Sequence, residues 1–114
     1  MRFDPIVTNP GRLTILTALL DEARQDFVTL RKHTQLTDGN LTTHARKLAN
    51  AGFVAIEKTA RAGRPVTYIT ITDEGRRAFT RHVEQLTTQV ARTVDATPLP
   101  VVEASTSHEE AWID

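Results

Sequence analysis

Residues 36–75, LTDGNLTTHARKLANAGFVAIEKTARAGRPVTYITITDEG, decide the fold of this chain. The stretch opens with a polar cap and an amphipathic helical pattern that stops at Gly52, a residue type favoured just after a helix. Two alternating, β-branched segments follow over 53–59 and 66–72, joined by the basic loop Arg-Ala-Gly-Arg-Pro. A further helix start closes the stretch. This order of elements predicts the winged variant of a helix-turn-helix.

The flanking residues extend this to a mainly helical α+β fold. Polar caps predict four helices, which begin after Asn9, Asp26, Thr37 or Asp38, and Thr72. Residues 1–96 are therefore expected to form one winged helix domain, with its last helix over about 73–94. Residues 97–114, rich in Pro, Ser, Thr and Glu, are expected to be a flexible acidic tail. Trp112 is unusual in such a tail: docking on the domain or on a partner is one interpretation, and a chance residue is the alternative.

The charge of the chain is unevenly distributed, although Lys and Arg balance Asp and Glu at 14 each. All 14 bases lie within residues 1–94 against nine acids, whereas residues 95–114 contain five acids and no Lys or Arg. Seven of the bases fall within 31–64, together with only two acids. The asymmetry indicates a polyanionic partner, and a solvated basic face is the alternative.

The third helix is the expected DNA reader. If Leu41, Ala45 and Leu48 are buried, the opposite side presents donors and acceptors that suit base edges and phosphates. Asn40 and Thr43 are the candidates for base contact, and His44 for either kind of contact. We call the whole set the reader face: Asn40, Thr42, Thr43, His44, Arg46 and Lys47. An ordinary solvated helix surface is the alternative.

The hairpin adds a second basic element. Arg61 and Arg64 flank Gly63 at its tip, where an arginine can enter a minor groove or bind its phosphates. Lys58 lies on the preceding strand and completes the predicted DNA-binding set. A basic hairpin tip alone is a weak signal, but its spacing after a basic capped helix strengthens it.

These residues resemble the small winged helix-turn-helix transcriptional regulators of the MarR/ArsR-like superfamily. The resemblance spans residues 9–80. The matching positions are Thr37-Asp38-Gly39-Asn40-Leu41, His44, Arg46-Lys47-Leu48, Gly52, Val54, Lys58, Gly63-Arg64-Pro65, Thr67, Tyr68, Thr72, Glu74-Gly75 and Phe79. Such a resemblance implies a DNA-binding homodimer with the third helix as reader and the hairpin as wing. Ala45 departs from it, because these proteins usually have a larger apolar residue there.

The last helix contains a candidate dimer interface. Apolar residues recur along it at spacings of four, three, four and four, close to the repeat of a coiled coil. We call them the dimer stripe: Phe79, Val83, Leu86, Val90 and Val94. A helix that continues past the wing has little of its own domain to cover it, so packing between two copies is favoured over packing within one.

Other kinds of function find little support in the residues. The chain has no cysteine, no paired histidines at metal-ligand spacing and no catalytic triad or phosphate-binding loop, so no enzyme, metal or cofactor is expected. No apolar run is long enough to span a membrane, and no signal peptide is apparent, which favours the cytoplasm. A small-molecule effector, bound between the last helix and the winged domain as the resemblance to larger MarR-type regulators would imply, is left open, and the sequence itself shows no such pocket.

Two functions remain. The first is a sequence-specific, double-stranded DNA-binding regulator, expected to be a repressor, that acts as a homodimer. The alternative is a winged helix that serves only as a protein-interaction or dimerisation module. The basic reader face favours the first, since a docking module has no need to gather Arg46, Lys47, Arg61 and Arg64 on one side.

Overall fold

A computed structural model describes residues 3–96 of the chain, with backbone only for Asp95 and Ala96. The expected acidic tail and Trp112 lie outside the described residues. The elements in chain order are α1 (Pro5–Thr8), α2 (Pro10–Asp21), β1 (Arg24–Asp26), α3 (Phe27–Thr34), α4 (Asp38–Asn50), β2 (Val54–Arg61), β3 (Arg64–Ile71) and α5 (Asp73–Ala96). The mainly helical winged fold is confirmed, and the third helix of the sequence analysis is α4.

Each predicted helix start is confirmed by a capping hydrogen bond. The side chain of Asn9 accepts from the backbone at the start of α2, Asp26 does so for α3, and Thr37 for α4. Thr72 Oγ1 likewise accepts from Gly75 N at 3.0 Å at the start of α5. These contacts satisfy amide groups that have no partner inside a helix, which is why short polar residues mark the boundaries.

The helix-turn-helix consists of α3 and α4. Gln35 ends α3 in a left-handed conformation with φ of 61°, and its N–H donates to Arg31 O at 2.8 Å. Arg31 Nε also bridges to Asp38 Oδ1 at 3.0 Å across the turn. Leu36, between the helices, packs half-buried against the core. The turn is thereby held both by its backbone and by a cross-turn ion pair.

The sheet is antiparallel with strand order β1-β3-β2, one strand more than the sequence analysis predicted. Strand β1 is only three polar residues long, and it has no apolar alternation that would reveal it. Its central residue, Gln25, is buried, and its side-chain amide donates to the carbonyls of Ala18 and Glu22, both at 2.9 Å. The strand forms because β3 offers a free edge, which is a tertiary effect.

The wing turns tightly at Ala62 and Gly63, between the paired residues Arg61 and Arg64. Both turn residues have positive φ, 55° for Ala62 and 77° for Gly63. A two-residue turn of this kind matches the right-handed twist of the paired strands. It places the two arginines directly opposite each other at the tip.

The core lies between α2, α4 and the inner face of the sheet. Its largest fully buried side chains come from the first four helices and from β3: Val7, Ile15, Leu16, Leu19, Leu30, Leu41, Leu48 and Ile69. Burying one such side chain stabilises the fold by about 2 kcal/mol. The short helix α1, which the sequence analysis did not predict, is capped by Asp4 and contributes Val7 to this core.

Candidate nucleic-acid interface

Helix α4 separates a buried side from a polar side, as its pattern predicted. Leu41, Ala45 and Leu48 are buried. On the other side, Asn40, Thr43, Arg46 and Lys47 are exposed, and Thr42 is half-buried. Because the apolar side anchors α4 to the domain, the exposed side chains of the reader face lie together on one surface.

His44 departs from the expected outward position. It is half-buried against the start of α2, and Arg12 Nη1 lies 3.3 Å from its Nδ1. A Cβ atom at Gly11 would lie 2.6 Å from His44 Nε2, so the helices approach closely because Gly11 has no side chain. His44 therefore serves first as a packing contact between α2 and α4.

Arg12 has a structural role that the sequence pattern does not reveal. It is buried although it carries a charge, and its guanidinium forms hydrogen bonds with three different groups. Its Nε donates to Ile6 O at 2.7 Å and its Nη2 to Pro5 O at 3.3 Å, while Nη1 contacts His44. Arg12 thus ties α1 to the reader helix. An arginine within an apolar helical pattern gives no sign of these partners.

The environment of His44 favours its neutral form. Partial burial lowers the pKa of His44 below its ordinary value of 6.5, and the positive charges of Arg12 and Lys47 lower it further. In the hydrogen bond with Arg12, the guanidinium must donate, so Nδ1 of the imidazole must be the unprotonated acceptor. Protonation of His44 would remove this acceptor and add a third positive charge.

Stability should consequently decline in mild acid. The pKa of His44 is lower in the folded than in the unfolded protein. The stabilisation is therefore fully present above about pH 6.5 and is lost as the pH falls through the folded-state pKa. We expect NMR titration of the His44 ring to show a pKa below 6.5. Lys47→Gln should raise that pKa by removing a positive charge. A value of 6.5 or higher in the unmodified protein would contradict the packing described for His44.

A groove of about 300 Å³ lies between α4 and the hairpin. Its floor is apolar, and the cations Arg46 and Lys58 lie at its edge. We call it the reader groove, lined by Phe27, Thr42, Ala45, Arg46, Ile56, Lys58, Thr67 and Ile69. Lys58 pairs across the hairpin with Thr67, so both line the groove beside the reader helix. The predicted contacts Arg46 and Lys58 are thereby brought together.

The two arginines at the wing tip have different surroundings. Arg61 Nη1 donates to the hydroxyl of Tyr68 at 3.0 Å, and its guanidinium carbon lies 5.9 Å from the ring centroid. It is also close enough to Asp26 to help lower the pKa of that carboxyl, which is lowered chiefly by a hydrogen bond from Thr29. Arg61 therefore has partners within its own domain, whereas Arg64 is exposed at the same tip.

Tyr68 organises the outer face of the wing, a role that the sequence analysis did not assign. The guanidinium carbon of Arg24 lies 3.6 Å from the centroid of its ring, within the range of a cation–π contact. Arg24 Nη2 also donates to Glu57 Oε1 at 3.0 Å. Arg24 belongs to β1, so only the unpredicted third strand brings it to Tyr68.

The dimer stripe is largely exposed on a single protomer. The exposed fractions are 43% for Val83, 49% for Leu86, 56% for Val90 and 39% for Val94. Phe79 is half-buried and packs against the core of its own domain. The stripe therefore begins at the core and continues as an uncovered apolar surface along α5, which is unusual for a surface helix.

Within residues 3–96, no three His, Cys, Asp or Glu side chains are grouped so as to hold a metal ion. The helices of this part of the chain also include none with the length and apolarity needed to cross a membrane. The candidate interface therefore consists of the cationic and polar side chains of α4 and the wing.

Comparison with known proteins agrees with this geometry. The model of a winged helix DNA-binding domain family matches residues 12–90. An uncharacterized protein of Methanocaldococcus jannaschii is 39% identical over 75 residues, which cover 66% of this chain and 82% of that protein. The solved structure of a transcriptional regulator homologue from Pyrococcus horikoshii is 35% identical, with a TM-score of 0.72 over 77% of this chain and 87% of that one.

The fold is also shared with a more distant regulator. The PcaV transcriptional regulator of Streptomyces coelicolor is 20% identical, with a TM-score of 0.69 over 91% of this chain and 74% of that chain. The reader helix, the basic wing and the match over residues 12–90 agree with one another. This chain belongs to the winged helix DNA-binding domain family, and it is a DNA-binding transcriptional regulator rather than an enzyme.

Proposed function

We propose that the protein binds duplex DNA sequence-specifically as a homodimer and represses transcription by occupying its operator. Residues 1–96 form the binding unit, with α4 in the major groove and the wing on the adjacent minor groove or backbone. The observation that supports this most directly is the exposed side of α4. It presents Asn40, Thr43, Arg46 and Lys47 together, beside a basic hairpin.

The chemistry of the side chains divides the contacts into two kinds. Asn40 and Thr43 lie in the first half of α4 and can exchange hydrogen bonds with base edges. Arg46, Lys47 and Lys58 are cations that suit phosphate oxygens, which carry no sequence information. We assign the first pair to sequence discrimination and the cations to affinity.

The wing tip contributes unequally to this scheme. Arg64 is the arginine that we place in or beside the minor groove, because Arg61 is already hydrogen-bonded to Tyr68. Arg61 contributes chiefly long-range attraction and a phosphate contact. His44, half-buried against Arg12, sets the position of α4 more than it contacts DNA.

The dimer follows from the exposed stripe on α5. Two reader helices must lie about 34 Å apart to enter successive major grooves on one side of a duplex. Helix α5 spans 24 residues, or about 36 Å, which is long enough to form a two-fold seam beyond the core. Pairing through Val83, Leu86, Val90 and Val94 would cover the apolar surface that one protomer leaves open.

Salt-dependent binding to an operator tests the two kinds of contact. The operator is first selected from random duplexes with the full chain. We expect Lys47→Ala and Arg64→Ala to weaken binding to every duplex and to reduce the slope of log K against log salt by about one unit each. Asn40→Ala should reduce discrimination against a mismatched operator by about 1–3 kcal/mol and leave the slope unchanged.

Lys32→Ala is the matched control, since Lys32 is an exposed cation of α3 outside the assigned set. It should change the slope by less than either assigned residue. Equal effects of all three lysine and arginine variants would indicate diffuse attraction rather than the proposed interface. A chain that selects no duplex at moderate salt would instead support the interaction-module alternative.

A further inference from the structure

The reader groove combines an apolar floor with basic side chains. Its floor consists of Phe27, Ala45, Ile56 and Ile69, yet it lies within the surface assigned to a polar duplex. The floor is open in part because Ala45 contributes only a methyl group beside α4. Phosphate oxygens gain nothing from an apolar recess, so the groove also suits a ligand that is both apolar and acidic.

The residues that line the groove also define the charge of that ligand. Arg46 and Lys58 are both exposed, and the lining residues include no carboxylate. None of the hydrogen bonds or ion pairs between described residues joins either cation to a carboxylate. An acidic group at this position would gain attraction from both cations, and it would block the phosphate contacts assigned to them.

The chain itself contains a segment with this chemistry. Residues 97–114, the acidic segment, include four carboxylates and no Lys or Arg. In the sequence, Glu109 and Glu110 come just before Trp112, which is the only tryptophan of the chain, and Ile113 follows it. An aromatic anchor next to two carboxylates matches an apolar floor next to two cations.

The acidic segment is also long enough to reach the groove. Trp112 is the sixteenth residue after Ala96, where α5 ends, so an extended chain can carry it about 53 Å. Helix α5 is about 36 Å long and begins next to the hairpin. Fully extended, the segment can therefore run back along the whole of α5 and about 17 Å past its start, toward the hairpin and the groove.

We propose that the acidic segment docks in the reader groove and inhibits DNA binding by competing with the duplex. Trp112 fills the apolar floor, while Glu109 and Glu110 face Arg46 and Lys58. The inhibition rests on the proposed DNA-binding function, whereas the docking can be measured without DNA. Operator DNA displaces the segment because it engages many more cations than the two that the carboxylates neutralise.

The first test uses Trp112 fluorescence in the full chain without DNA. We expect blue-shifted emission and protection from acrylamide, because the indole is held against apolar side chains. Thr67→Glu adds a carboxylate to the groove wall and should expose Trp112. Thr70→Glu is the matched control, since Thr70 alternates to the opposite face of β3 and should leave the protection unchanged. Emission and quenching typical of a solvent-exposed tryptophan in the unmodified protein would overturn the docking.

The second test locates the contact by methyl NMR of the full chain. Trp112→Ala should shift the methyl signals of Ala45, Ile56 and Ile69. If it shifts those of Leu86 and Val90 instead, Trp112 packs on the dimer stripe and the proposal is wrong.

The third test measures inhibition on the selected operator. A segment docked about nine-tenths of the time weakens apparent affinity about tenfold, so Trp112→Ala should tighten binding by up to that factor. This substitution changes no charge, which separates docking from general repulsion by acidic residues. Unchanged affinity would overturn the inhibition. If no duplex is bound at all while the groove methyl signals still shift, the DNA-binding proposal fails and the docking stands.

Discussion

Leu86→Asp is expected to convert the proposed dimer into monomers and to weaken operator binding by 100-fold or more. Leu86 lies in the middle of the dimer stripe and is about half exposed on one protomer. A carboxylate there would be buried without a partner in the paired helices, which is strongly unfavourable. In a dimer, binding of one half-site raises the effective concentration of the second reader helix, which typically increases the affinity by a factor of about 10²–10⁴. Separated protomers lose this increase. Sedimentation and fluorescence anisotropy measure the two effects.

The control for this substitution lies on the other side of α5. Thr88 is exposed and lies two positions after Leu86 on the helix, so its side chain points away from the dimer stripe. Thr88→Asp introduces the same charge and should leave both the oligomeric state and the affinity close to their original values. A Leu86→Asp protein that remains dimeric would show that the two protomers associate elsewhere.

Gly75→Ala should destabilise the domain by about 3 kcal/mol, at the upper end of what overpacking usually costs. Gly75 is buried in the first turn of α5, and a Cβ there would collide with the carbonyl oxygen of Phe53. That carbonyl is backbone, and it already accepts a hydrogen bond from Thr72 N at 3.0 Å, so it cannot easily yield. Such a loss corresponds to a Tm lower by about 15 °C, measurable by thermal and urea denaturation.

Gly39→Ala provides the matched comparison. Gly39 also lies in the first turn of a helix, but a Cβ there would meet nothing within 4 Å. Alanine has the higher helix propensity, so this substitution should raise stability by about 0.5 kcal/mol. If Gly75→Ala cost less than 1 kcal/mol, the close approach of α5 to Phe53 would not be as tight as described.

The sequence alone was sufficient for much of the fold and for the polar side of α4 that forms the candidate interface. Asn9, Asp26, Thr37 and Thr72 identified the helix starts because a cap bonds to amides only two or three residues away. The buried side of α4 was also correct, since helical periodicity assigns residues to faces without knowledge of the partner. The individual DNA contacts and the dimer stripe remain predictions that the proposed variants test.

The errors concerned contacts between residues distant in the chain. His44 was expected on the outside, but it packs against Gly11 and Arg12 of α2, more than 30 residues earlier. Arg24 acquires its place on Tyr68 only because β1 adds to the edge of β3. Neither β1 nor the difference between Arg61 and Arg64 has a local pattern that would reveal it.

By itself, the sequence of residues 36–75 determined that the chain forms a winged helix-turn-helix. Caps, helical spacing, strand alternation and turn residues all act over a few neighbouring positions. The uneven charge of the chain likewise follows from the order of its residues alone. The tertiary structure decided how these elements meet. It placed Arg12 between α1 and α4, tied Arg61 to Tyr68, and opened an apolar groove beside the reader helix. Such features depend on which surfaces pack together, and packing joins residues whose separation along the chain carries no periodic signal.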